Sequence, residues 1–148
     1  MQGLRLGGHP VHPALVHFPV ACWTAAPALD LAYLFTHDPA WWHAGFWCIA
    51  VGLGMGLLAM CAGLMDLMAL PKDHPGESMG QRHMLLVGSA WCVFVADLML
   101  RHADPSDTQA WTAFGLSAAG FLLLLAGAYA GARLVYDFGV GQNIRKRT

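Results

Sequence analysis

Charge is what this chain has least of. Aspartate, glutamate, lysine and arginine together make up 11% of 148 residues, against ~25% in an average soluble domain. With a formal net charge of −1 there is no surplus of basic residues from which to build the stripe that binds nucleic acid. None of the four cysteines, Cys22, Cys48, Cys61 and Cys92, belongs to a C-x-x-C pair. All four fall inside apolar segments, so they read as small buried hydrophobes and no disulfide framework is implied. A basic n-region followed by a small-residue cleavage site is missing from the N-terminus, so no cleavable signal peptide is expected. No phosphate loop, nucleotide fingerprint or nucleophile arrangement is found either. No enzyme with a substrate pocket is therefore expected; the role fits an electron-transfer or accessory subunit.

What fills the chain instead is apolar, at 57% of residues, in runs long enough to cross a ~30 Å hydrocarbon layer, which takes ~20 helical residues. Four such segments are expected, over about 13–35, 42–70, 83–100 and 110–132. They are separated by turn chemistry at His37-Asp38-Pro39, Pro71-Lys72-Asp73-His74-Pro75-Gly76 and Ala103-Asp104-Pro105-Ser106-Asp107. In lipid the backbone must satisfy its own hydrogen bonds, so the spans are helices. Short breaks make antiparallel neighbours. The expected fold is all-α, a single integral-membrane four-helix bundle running up-down-up-down. No internal repeat and no second domain is read. Six tryptophans, several at segment ends, suit an interfacial belt.

Even spanning places Arg5, Lys72, Arg82, Arg133, Arg145, Lys146 and Arg147 on one side and only Arg101 on the other. By the positive-inside rule both termini face the cytoplasm of a bacterial inner membrane. Gly45, Gly52, Gly54, Gly56, Ala59, Ala62 and Gly63 crowd the second span, and Gly127 and Gly131 form a G-x-x-x-G step in the fourth. Such residues let helices approach closely; a dimer face and room for a flat cofactor are the other readings.

The first apolar span is entered through His9-Pro10-Val11-His12-Pro13-Ala14-Leu15-Val16-His17-Phe18-Pro19. Histidine titrates near neutrality and is the commonest metal ligand, and proline fixes the local backbone. The topology puts His9, His12, His17, Asp66, His74, His83, Arg133 and Tyr136 at the cytoplasmic level. Asp30, His37, Asp38, His43, Asp97, Arg101 and His102 fall at the other. His17, ~6 Å inside the first span, and His83, at the head of the third, share a side and a depth. That is the setting of a bis-histidine haem b site between helices of a bundle, with Arg133 near a propionate and Tyr136 as a further cofactor-site residue. The alternative is a site for zinc or another divalent transition metal made by His12, His17, Asp66 and His83, in a transport or assembly protein. A third reading is a cofactor-free interaction subunit, in which Asp66 and Arg133 form a structural ion pair. Asp97 lies fourteen residues after His83, within ~40° of the same helix face. Asp30 and Asp97 have Arg101, His37, His43 and His102 as candidate partners, in an anchoring network, a proton path or a second haem site.

These motifs together resemble the bacterial membrane proteins grouped as the domain of unknown function 2231 family. The likeness rests on His9-Pro10-Val11-His12-Pro13 with His17-Phe18-Pro19, on Asp30, on Gly63-Leu64-Met65-Asp66, on His83, and on the ending Gly131-Ala132-Arg133-Leu134-Val135-Tyr136-Asp137-Phe138-Gly139-Val140-Gly141. It spans nearly the whole chain and departs at Ala132-Arg133, where a second glycine is expected. The resemblance implies a cluster of recurring polar positions at one membrane level. The leading expectation is a b-type cytochrome-like electron-transfer subunit whose partners are the lipid bilayer and either other subunits of a membrane redox complex or a second copy.

Overall fold

The computed structural model describes residues 3–101 and 105–141; His102, Arg145, Lys146 and Arg147 lie outside the described residues. The chain opens with a small hairpin, β1 (Arg5–Leu6) against β2 (His9–Pro10). Gly7 and Gly8 turn it with φ of 56° and 84°, the doubly left-handed backbone of a two-residue hairpin turn. Four helical runs follow: α1 (Val11–Leu15) with α2 (His17–Thr36), then α3 (Pro39–Met68), α4 (Glu77–Leu100) and α5 (Asp107–Tyr136). All four are long and apolar enough to cross a membrane.

Local chemistry explains the boundaries. Pro19 has no N–H to offer the Leu15 carbonyl, and the first run breaks at Val16. The Val16 and Val20 amides still bond to His12 and Val16 (3.1 Å each), which keeps the helical path continuous. His37 ends α2 in the left-handed conformation. Asp38 caps α3 through the Ala40 amide, with Pro39 in the first turn. Ser106 caps α5 through the Gln109 amide. The third helix starts six residues before the expected boundary. Its first turns are polar (Glu77, Ser78, Gln81, Arg82) and continue the helix past the apolar run. His83 therefore sits nearly two turns inside α4.

The helices form two antiparallel hairpins, α2 with α3 and α4 with α5, which close on each other through α2–α5 and α3–α4 packing. This leaves α2 and α4 at opposite corners, pointing the same way. Their inward side chains meet in three layers along the bundle axis. His12 faces His83, with ring centroids 6.2 Å apart. Trp23 stacks on Phe94 at 4.8 Å. Asp30 pairs with Arg101. In every layer the second member lies 71 residues after the first.

The supporting helices match as well. Gly52 receives the Trp23 ring and Gly120 the Phe94 ring; Gly63 receives the His12 ring and Gly131 the His83 ring. Here the second member lies 68 residues after the first. The chain thus contains an internal two-fold repeat of a helix hairpin, contrary to the sequence reading. The repeat is hidden because two of its three axial pairs carry different residues, Trp against Phe and Asp against Arg.

Large apolar side chains such as Phe18, Phe35, Trp47, Leu58, Leu85 and Leu122 lie on the outside, while Asp30, Asp97, Arg101 and Ser117 are buried on the inside. A polar axis with an apolar perimeter is what a bilayer requires. The tryptophans divide accordingly. Trp41 and Trp111 are exposed near helix ends, whereas Trp23 and Trp42 are core residues.

The packing predicts which glycines matter. A Cβ on Gly120 would lie 2.7 Å from the Phe94 ring, whereas one on Gly88 meets nothing within 4 Å. Gly120→Leu is expected to destabilise the bundle by about 1–3 kcal/mol, the usual range for overpacking, and Gly88→Leu not at all. Thermal melting followed by circular dichroism in detergent checks this; equal melting of the two variants would contradict the layered packing.

Candidate histidine site on the bundle axis

The N-terminal hairpin carries His12 to its place. The Leu4 amide donates to Asp66 Oδ1 at the end of α3 (2.9 Å), and the Val11 amide donates to the Leu4 carbonyl (3.0 Å). Prolines at 10 and 13 flank His12 in the short α1, which packs on α3. His83 reaches the same level from α4.

The two rings are held alike. His12 Nδ1 lies 2.8 Å from the Ala59 carbonyl of α3, and His83 Nδ1 lies 2.8 Å from the Gly127 carbonyl of α5. A backbone carbonyl only accepts, so in each ring Nδ1 carries the hydrogen, and the neutral imidazole keeps its lone pair on Nε2. Reaching a carbonyl inside a helix requires a gap in the side chains around it. In a helix, Cβ bonds tilt toward the N-terminus, so the side chain at i+4 overlies residue i. The residues at i+4 are Gly63 and Gly131. A Cβ would come within 2.9 Å of the His12 ring at the first and 3.1 Å of the His83 ring at the second. Each glycine opens the groove in which one imidazole lies.

The ring planes are inclined at 83°, and both histidines are half-buried. Chemically this is a pair of oriented imidazoles from two different hairpins. Each has its distal nitrogen fixed by a backbone acceptor, the arrangement that orients metal-bound histidines.

Other residues expected at this level are placed differently. The structure pairs His83 with His12 and not with His17. His17 is exposed at the start of α2, its ring 3.3 Å from the Ala14 carbonyl of its own turn. Depth along the apolar run does not separate the two. The 71-residue interval, shared with Trp23–Phe94, is the sequence signal that singles out His12. His9 is exposed. Asp66 and Arg133 do not form the expected ion pair: Asp66 holds the Leu4 amide, and Arg133 bonds to Asp137 at 2.6 Å on the surface. Tyr136 is 82% exposed. Among the described residues no three or more His, Cys, Asp or Glu side chains gather to hold a metal ion. The four-residue metal set His12, His17, Asp66 and His83 is represented by its first and last members alone.

At the opposite end of the axis, Arg101 answers the question of what Asp30 and Asp97 pair with. Its Nη1 and Nη2 contact the two oxygens of Asp30 at 2.8 Å each. Its Nε and Nη2 donate to Asp97 at 3.1 and 3.2 Å. Ser117 of α5 donates to Asp30 at 2.6 Å, and Arg101 lies over the Trp42 ring of α3 at 4.7 Å. All four helices are joined in this layer. His37 and His43 take no part: His37 stands against Tyr33, and His43 Nδ1 pairs with the Pro39 carbonyl.

Fold and site together define a small polytopic membrane protein with a paired-imidazole site at its N-terminal face. The chain belongs to the family of predicted membrane proteins DUF2231, which it matches over residues 8–143. No curated protein and no solved structure matches it.

Removing the guanidinium would leave the buried carboxyl groups of Asp30 and Asp97 without a cation between them. Arg101→Gln is expected to cost on the order of 3–5 kcal/mol, the cost of breaking a buried pair on one side. Chemical denaturation in detergent micelles is the measurement; wild-type stability in this variant would show that the layer does not hold the bundle together.

Proposed function

We propose that this chain is a membrane b-type cytochrome-like electron-transfer subunit, with haem b held between His12 and His83. The observation that carries this reading is the histidine pair itself. Two imidazoles from different hairpins stand at one level, with Nδ1 of each held by a backbone carbonyl, which leaves Nε2 available. Were haem or a metal ion bound at this level, His12 and His83 would be the residues to hold it through Nε2. Their ring centroids stand 6.2 Å apart. A haem held in this way supplies reversible one-electron chemistry at iron.

The protein's part is to fix both rings before the group arrives. The Ala59 and Gly127 carbonyls set their tautomer and direction. The glycine grooves hold them against α3 and α5. The lipid-facing bundle lowers the dielectric around them. Arg82, exposed beside His83, and Arg133 supply positive charge at this face for carboxylates. The surplus of basic residues on the N-terminal side supports an orientation with that face in the cytoplasm of a bacterial inner membrane. The electron partners in this reading are other subunits of a membrane redox complex, or a second copy.

The test is the visible spectrum of protein purified from cells supplied with haem. A Soret and an α band are expected in the reduced form, lost in His12→Ala and in His83→Ala and kept in His17→Ala. With the ring planes near-perpendicular, the oxidised protein should give a strongly anisotropic low-spin ferric signal in electron paramagnetic resonance. A colourless protein that retains a divalent metal lost on His12→Ala would replace haem with the non-haem alternative. A protein holding neither, in which His83→Ala lowers only stability, would leave the cofactor-free interaction subunit.

A further inference from the structure

The Asp30–Asp97–Arg101 layer carries a consequence independent of the histidine pair. Two carboxylates share a single guanidinium, and the side chains are at most 1% exposed. The groups that face them are known from every helix around them. Asp30 comes from α2, Asp97 from α4, and Arg101 from the end of α4; α5 contributes the Ser117 hydroxyl, and α3 contributes the Trp42 ring and the backbone at Gly45. Among the described residues Arg101 is the one cation in this layer. Were both carboxyls ionised, the layer would hold one uncompensated negative charge inside a membrane-spanning bundle. Such a charge is among the costliest groups to bury, and a buried carboxyl meets that cost by taking up a proton.

We infer that this cluster is a proton-binding site holding one proton, carried by Asp97. The contacts distinguish the two carboxyls. Asp30 Oδ2 accepts two short hydrogen bonds, from Arg101 Nη2 at 2.8 Å and from the Ser117 hydroxyl at 2.6 Å, and Oδ1 adds an ion-pair contact to Nη1 at 2.8 Å, the short distances favoured by an ionised acceptor. Asp97 has two longer ones, at 3.1 and 3.2 Å, and the second shares its Nη2 with Asp30. Asp30 is the counter-ion of Arg101, and Asp97 is the carboxylic acid. Its separation from His83, ~21 Å along α4, makes it a site in its own right.

Infrared difference spectroscopy of the full-length protein in lipid, with isotope-labelled aspartate, tests this. At neutral pH one carboxylic C=O band should shift with the label and disappear at high pH. The band should be absent in Asp97→Asn, which keeps one carbonyl acceptor for the guanidinium. It should also be absent in Asp30→Asn, where Asp97 becomes the only counter-ion of Arg101; that variant should be markedly less stable. A wild type without a labelled carboxylic band at neutral pH overturns the proposal, as does a band that survives in Asp97→Asn. Failure of Asp97→Asn to fold overturns the assignment of the proton to Asp97.

Discussion

Arg101 is the group on which the rest of the bundle depends. Lipid offers no water to solvate a stray polar atom, so polar side chains are driven to the one place where they can satisfy each other, the bundle axis. One planar guanidinium, with five donors in a fixed fork, binds carboxylates from α2 and α4 at once. Through Asp30 it engages Ser117 of α5, and it covers Trp42 of α3. No shorter or more flexible cation would meet all four helices from a helix end. With this end fixed, the other layers on the axis are set in register.

The axis also explains why a two-fold repeat serves this chain. Two hairpins related by a rotation bring like positions together at the centre, so each axial layer is a pair drawn from α2 and α4 or the short α1 before α2. Each pair has diverged to a different task. The ion pair binds the hairpins at one end, and the Trp23–Phe94 stack fills the middle. The histidines at the other end keep near-equivalent surroundings, down to a carbonyl and a glycine four residues apart on the supporting helix. Equivalence survives where both members do the same thing and is lost where they act as opposites, as Asp and Arg must.

Much of this was legible in the residues. Low charge and four apolar runs led to a membrane bundle, and the resemblance of the His-Pro motif and the Val135-Tyr136 ending led to the family. Asp30, Asp97 and Arg101 were recognised as one level, and His83 as a ring deep enough to matter. Hydropathy leaves His12 and His17 open as the partner of His83, and depth along the apolar run does not separate them; the fold brings His12 to His83. The hairpin at Gly7-Gly8 and the helix break at Val16 decide which ring turns inward, and neither leaves a mark on hydropathy. The Asp66–Arg133 pairing failed for a related reason. Both residues lie at one depth, but Arg133 finds Asp137 one turn away on its own helix, and Asp66 is engaged by the N-terminal hairpin.

The sequence by itself determined the class of environment, the number of crossings and the set of polar residues at each end, because hydropathy and turn chemistry depend on neighbours within a few positions. Only the tertiary structure decided which of those residues meet. Whether His12 or His17 faces His83, and whether Gly63 and Gly131 are packing sites or grooves for rings, depends on helix rotation about the axis. That rotation is set by partners about 70 residues away, through interactions that no local pattern of the chain encodes.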